Sequence, residues 1–356
     1  MPLQHLPSVL FTVALGLAGG LVASFLGLPL PFMLGSLGLT AIVSLAGVKI
    51  GGQPPKIPSR ARNAMIPIIG IMIGAKVTPD ILDQMAQWWP SLLSVIPFVI
   101  IVQLMNYNVL RRLGGYDQAT AFFAANPGGV AESLLVGEAN GGNPALMTIQ
   151  HFARVTLCVI LVPVILSIAL GTSVGSAAGT TSEPTYRIPG LHEVLMLGIG
   201  GYLGVLVARR LKLPAALLLG PFVVSAALHA TGVTTAQVPD LLVNLALVVI
   251  GTNLGTKFYG QAPKTLLGGF GLSFVALFNA LVLATLIALT IAALQEVSRT
   301  VVFVSFAPGG LVEMGLIAIS LGSDPVFVAV HHLVRIMVAV IISPLIFQWL
   351  ILARES

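Results

Sequence analysis

Charge is what this sequence has least of. Only 8% of its 356 residues are Asp, Glu, Lys or Arg, while 56% are hydrophobic; soluble domains carry about 25% charged residues. So few charges cannot solvate the surface of a globule this size, which excludes an ordinary soluble domain and makes lipid the expected solvent for most of the exterior. Cysteine is nearly absent too. The single Cys158 lies in an apolar run, which excludes a disulfide framework and a thiolate metal cluster. The six histidines include an adjacent pair, His331 and His332, but no Glu-x-x-His motif accompanies them, so no metal and no cofactor is expected. A basic n-region and a small-x-small cleavage site are also lacking at the start, so the first apolar stretch reads as a retained span. The net charge of +5 comes from basic residues placed in loops between apolar segments. It reads as membrane topology and not as nucleic-acid binding.

What is present is a chain that repeats itself. NPGGVAESLLVGEANGGNPALMTIQHFARVTLCVILVPVI is followed by APGGLVEMGLIAISLGSDPVFVAVHHLVRIMVAVIISPLI at a constant offset of 181 residues. That offset pairs Pro127-Gly128-Gly129 with Pro308-Gly309-Gly310, Glu132 with Glu313, and Asn143-Pro144 with Asp324-Pro325. It also pairs His151 with His332, Arg154 with Arg335, and Pro163 with Pro344. Chance likeness between two apolar helices does not match polar residues, prolines and glycines. Gly70-x-x-x-Gly74 with Lys76 pairs with Gly251-x-x-x-Gly255 and Lys257 at the same offset, and Leu28-Pro29 with Leu34-Gly35 pairs with Leu213-Pro214 and Leu219-Gly220. The expected organisation is a first membrane repeat over 1–171, a linker over 172–189 and a second repeat over 190–356.

Apolar segments near 8–27, 31–48, 62–79, 89–110 and 144–170, and near 190–208, 214–232, 239–259, 265–294 and 325–352, are long enough for about ten spans. Two further stretches, near 117–139 and 299–320, carry the Pro-Gly-Gly interruptions and could each be a full span or a re-entrant pair of half-helices. Basic clusters at Lys49–Arg62, Arg111–Arg112, Arg209–Lys212 and Lys257–Lys264 all fall on one side only if both stretches are re-entrant. The positive-inside bias then makes that side cytoplasmic. The expected fold is therefore an all-α integral membrane protein of two inverted repeats, each with five transmembrane helices and one re-entrant broken hairpin. Both termini would be cytoplasmic, in a bacterial inner membrane.

Proline lacks an amide donor and glycine is permissive, so each Pro-Gly-Gly should break its helix and leave backbone groups unpaired. Hydrocarbon tolerates that only inside protein or against water, and paired broken helices near the midplane are a recurring transporter design. Asn126, Pro127, Gly128, Gly129, Pro308, Gly309 and Gly310 are the candidate substrate-binding backbone. Glu132 and Glu313 open the second half-helices, either complementing the helix dipole or serving as proton or cation sites. Asn143 and Asp324 read as N-caps before a proline. Eleven residues on, about 16 Å at the helical rise, stand Arg154 and Arg335, each with a histidine three residues earlier, His151 or His332. An arginine at that depth needs a partner, which would be a glutamate or an anionic substrate; the histidines are candidate protonation switches or polar packing. The Gly-x-x-x-Gly pairs should bring helices close. Trp88 and Trp89 beside Pro90 read as an interfacial anchor.

The duplicated Pro-Gly-Gly-x-x-Glu hairpin, the Asp-Pro cap and the His-x-x-Arg helix resemble the bacterial AbrB membrane-protein family, also labelled ammonia monooxygenase, along nearly the whole chain. That resemblance implies a duplicated cytoplasmic-membrane protein, some of whose members are called regulators of gene expression. Gln150 stands where the second half has His331, so a role for His331 is not expected to be shared by the halves. The leading expectation is a secondary transporter, not an enzyme. It would carry a small anionic metabolite with proton or cation coupling, embedded in lipid and without a nucleic-acid partner; a homo-oligomer is open. A membrane sensor that regulates gene expression indirectly is the alternative, and a metal-dependent monooxygenase the remote one.

Overall fold

A computed structural model describes residues 6–28, 30–171, 174, 190–213, 215–295 and 297–351. Most of the expected linker, Pro29 and Pro214 of the Leu-Pro pairs, and both chain ends lie outside the described residues. Among those described, regular structure is helical, apart from an isolated bridge between Ile50 and Gln53.

The first half runs α1 (Leu6–Phe25), α2 (Pro31–Leu45), α3 (Ser59–Gly74), α4 (Pro79–Met85), α5 (Trp89–Arg112), α6 (Gln118–Ala125), α7 (Val130–Ala139) and α8 (Pro144–Leu170). The second runs α9 (Leu191–Arg210), α10 (Ala216–Ala230), α11 (Asp240–Thr256), α12 (Pro263–Leu294), α13 (Arg299–Phe306), α14 (Leu311–Ser320) and α15 (Pro325–Ile346), closing on a π-helical turn. Each apolar segment of the sequence becomes one helix. The element not anticipated is α4, which turns off α3 by 89°.

Six helices, α1, α5, α8, α9, α12 and α15, are individually long and apolar enough to cross a bilayer. Helices α2 and α10 have 15 residues each, about 22 Å at 1.5 Å per residue, which is shorter than a hydrocarbon core of about 30 Å. Large apolar side chains stand fully outward along these helices, Phe25 at 93% and Ile168 at 78% exposure among them. Water would penalise each such side chain, whereas lipid does not. The chain has the helices and the apolar exterior of a multi-pass membrane protein.

Contacts divide the chain into two compact units. The first takes Met1–Asp83, Pro163–Gln261 and Gly315–Val326; the second takes Gln84–Val162, Ala262–Met314 and Phe327–Ser356. Each unit draws on both sequence halves. In the first, small residues let backbones meet. A side chain on Gly19 would strike the Gly35 carbonyl, and one on Gly204 would strike that of Gly220, so α1–α2 and α9–α10 are matched glycine contacts. Gly70 and Gly74 of α3 lie on α10 backbone, while Gly251 and Gly255 of α11 lie on α2. The two Gly-x-x-x-Gly pairs thus bring helices of opposite halves together, as expected of them.

Candidate functional site

Every candidate site residue falls in the second unit. Both Pro-Gly-Gly motifs break the helix there. Helix α6 ends at Ala125 and α7 begins at Val130; α13 ends at Phe306 and α14 begins at Leu311. At the first break Gly129 adopts φ +60, a left-handed conformation that side chains resist. The two half-helices then fold back on each other. Thr120 Oγ1 accepts from the Asn143 amide at 2.7 Å, Phe123 adjoins Gly137, and Asn126 Nδ2 donates to Ser133 Oγ at 2.8 Å. These contacts pair the start of α6 with the end of α7, which makes the stretch an antiparallel hairpin. Asp117 caps α6 through the Thr120 amide at 2.8 Å.

Helices α8 and α15 bring the charges to the breaks. Asn143 Oδ1 accepts from the amides of Ala145 and Leu146 at 3.0 and 3.2 Å, and Asp324 Oδ1 from Val326 at 2.8 Å. Both caps set the register expected of them, with proline at the first helical position. That register places Arg154 against the carbonyl of Asn126 and Arg335 against that of Ala307, while a second Arg335 donor reaches the Gly309 carbonyl at 2.8 Å. Asn126 and Ala307 are the C-cap residues of α6 and α13. Their orphan carbonyls carry the negative end of a helix dipole, and a buried guanidinium satisfies them.

This revises the expected charge network. Among the described residues no carboxylate pairs with Arg154 or Arg335. Both arginines are buried, and each keeps a buried Nε–H without a partner. Glu132 and Glu313 instead sit in the first turns of α7 and α14 and curl back over their own breaks, against Gly129 and Gly310. Each break therefore holds an arginine at its carbonyl end and a glutamate at its amide end. The glutamates of the two copies differ in burial: Glu313 is buried, while Glu132 is half-buried.

The histidines divide. His332 Nε2 meets the Val304 carbonyl at 3.2 Å. The equivalent His151 lies beside the Phe123 carbonyl without reaching hydrogen-bond geometry, and neither of its ring nitrogens has a partner. His331 is fully engaged, Nδ1 with the Phe327 carbonyl at 2.7 Å and Nε2 with Ser91 Oγ at 2.9 Å. Contrary to expectation, its role is shared by the halves. Gln150, its counterpart, accepts from Ser273 Oγ at 2.6 Å, and Ser91 and Ser273 occupy matching places in α5 and α12. Trp88 is also not an interfacial anchor: it is buried edge-on against Phe327 at 5.0 Å, and only Trp89 is exposed.

Packing at the breaks is reciprocal. Gly128 of the first break lies on Ala339 of α15, and Gly309 of the second lies on Cys158 of α8. Ala339 and Cys158 are one offset of 181 apart. The same offset could have pointed to Cys158, and an offset of 182 to Ser91 and Ser273; Ser343, which donates to Gln103 at 2.8 Å, has no such signal because its counterpart is Val162.

Paired broken half-helices, each closed by a buried arginine from an outward-apolar bundle, define an all-helical multi-pass membrane protein with a duplicated core. The chain belongs to the AbrB family, whose model, described as "Transition state regulatory protein AbrB", matches residues 48–351. It is similar to YhjN of Bacillus subtilis (strain 168), 25% identical over 98% of this chain and 94% of that one. It is also similar to a protein of Escherichia coli (strain K12) named "Putative regulator AbrB", 22% identical over 91% of this chain and 90% of that one.

Proposed function

We propose that this chain is a secondary transporter of a small anion in the bacterial inner membrane, with its binding site at the two Pro-Gly-Gly breaks. The observation that carries this reading is the pair of arginines. Arg154 and Arg335 are buried, have no carboxylate partner among the described residues and each retain an unused N–H. An uncompensated buried cation costs several kcal/mol. Two of them, each with a donor to spare, are a receptor for an anion with planar or tetrahedral oxygens.

The topology that goes with it is ten spans in two inverted repeats, the short helices α2, α3, α10 and α11 crossing where the unit thins or tilts. The α6–α7 hairpin is then re-entrant, and α13–α14 enters from the opposite face. The reciprocal contacts of Gly128 with Ala339 and Gly309 with Cys158 are those a two-fold relation between halves produces. Glu132 and Glu313 are the coupling carboxylates, and His151 and His332 the further protonation sites.

A second reading, a ligand sensor acting on gene expression, draws on the name of the Escherichia coli relative. One experiment separates the two. Purified chain in liposomes is offered labelled mono- and dicarboxylates, phosphate and sulfonates under proton and Na+ gradients. Gradient-driven uptake that Arg154→Gln and Arg335→Gln abolish supports the transporter. Saturable binding without flux supports the sensor, and flux indifferent to both substitutions overturns the site.

A further inference from the structure

The two halves of the core have diverged at one place, and that place has the makings of an ion site. Beside the first break lies a crevice of about 10 Å³, room for about one water-sized occupant. Its polar lining is Glu132 with Asn126, Ser133 and Ser343. The hydroxyl hydrogens are already committed, that of Ser343 to Gln103 Oε1 at 2.8 Å and that of Ser133 toward the Gly128 carbonyl at 3.4 Å. The Ser343 oxygen is thus left as an acceptor, Ser133 Oγ keeps one lone pair beside the bond it accepts from Asn126 Nδ2 at 2.8 Å, and Asn126 Oδ1 takes only the Gly128 amide, at 3.2 Å.

The counterpart in the second half is stripped of these oxygens. Under the offset of 181, Asn126 becomes Ala307, Ser133 becomes Met314 and Ser343 becomes Val162. All three replacements are fully buried, and Met314 presses its methyl against Gly309. Only the glutamate is kept, and there it is buried.

We propose that the first-half crevice binds one Na+-sized monovalent cation through Glu132 and the oxygens of Asn126, Ser133 and Ser343, and that the second half binds none. The rest of the crevice wall is apolar, from Phe123, Val136, Ala339, Val340 and Pro344, so the acceptors it offers are the oxygens of these four side chains, which select a hard cation. A single carboxylate neutralises a single positive charge, whereas a divalent ion would keep an unpaired charge in a weakly polar setting. The inference deepens the transport reading and rests on it, because it makes the coupling ion Na+ at one per chain. It also supplies a link to the anion: Asn126 lines the crevice with its side chain and binds Arg154 with its carbonyl.

The test uses the full chain in nanodiscs at constant ionic strength, Na+ replacing choline, with radiolabelled Na+ binding and the melting temperature both followed. Saturable binding of one Na+ per chain is expected, competed by Li+ more strongly than by K+. Glu132→Gln should abolish it, and Ser343→Ala, the milder change, should weaken it by about tenfold or more. No saturable Na+ binding, two ions per chain, or binding retained in Glu132→Gln overturns the site. Arginine-dependent anion uptake that runs equally well in choline overturns the Na+ site and leaves transport standing. Na+ binding without any anion flux keeps the site and overturns the transport reading.

Discussion

Arg335 and Arg154 occupy matched positions and are both buried cations, yet they do not make the same bonds. Arg335 donates to two carbonyls, Ala307 and Gly309, while Arg154 donates to one, Asn126. Replacing each by Met removes a buried cation of the same kind. That large and poorly known contribution therefore cancels when the two variants are compared. What is left is one charge-assisted hydrogen bond, worth about 1.5–3 kcal/mol, a second buried carbonyl left without its donor, and a long contact of Arg335 with His332 Nδ1 at 3.4 Å that adds in the same direction. Arg335→Met should thus be less stable than Arg154→Met by about that amount. The measurement is reversible unfolding in mixed micelles, with both variants followed by tryptophan fluorescence and helical circular dichroism. Equal losses for the two single variants would refute the assignment of the arginines to the carbonyl ends of the half-helices. A rescue of Arg335→Met by Glu313→Gln would refute it too, since it would show that the arginine exists to balance the glutamate.

Three further outcomes follow from the packing. His331→Gln should be tolerated to within about 1.5 kcal/mol, because Gln150 already performs the same serine bond in the other half, whereas His331→Leu leaves the Ser91 hydroxyl only the Trp88 carbonyl at 2.8 Å and should cost more by about one buried hydrogen bond; chemical unfolding of the pair distinguishes them. Asp117→Ala should lose about 0.5–2 kcal/mol through the α6 cap, and protease protection of the α6–α7 hairpin is the sensitive readout. Gly204→Leu and Gly220→Leu should each abolish folded yield in size-exclusion chromatography, since the two backbones meet there, while Gly198→Leu, whose side-chain position is open, should not.

Helix positions were legible in the sequence because each apolar run is bounded by its own punctuation. Asn143-Pro144 and Asp324-Pro325 start α8 and α15, and both Pro-Gly-Gly motifs end a helix where they stand. That α3 and α11 would each take a close neighbour was readable in Gly70, Gly74, Gly251 and Gly255, since a small residue every fourth position leaves a groove for another backbone; that the neighbours are α10 and α2 was not. The partner of each arginine was not readable. An arginine in an apolar run requires something negative, and sequence offers only carboxylates for that role. The carbonyls at the end of a broken helix are equally good acceptors, but they exist as acceptors only once the break has formed. The same blindness applies to Trp88: beside Pro90 and Trp89 it looks interfacial, and only the approach of Phe327 from another helix buries it.

The sharing of labour between the halves follows from what duplication does to a pair of equivalent sites. Contacts that build the core are kept on both sides even where the residue changes: Gln150 and His331 each reach a serine, and Cys158 and Ala339 each fill the space under a glycine. Such contacts are constrained by shape, because a close-packed core resists changes in volume. The oxygens around Glu132 are under no such constraint, and their counterparts Ala307, Met314 and Val162 pack equally well without them. Retaining a polar crevice in one half alone therefore requires a reason other than packing. If coordination of a cation is that reason, restoring the oxygens in the second half should create a second site. Met314→Ser combined with Val162→Ser restores hydroxyls at the positions that match Ser133 and Ser343. The expected result is a rise in bound Na+ from one toward two per chain, with the first site unchanged. A double variant that folds, binds one Na+ and gains water at Glu313 without gaining an ion would show that the first-half crevice owes its selectivity to more than its oxygen count.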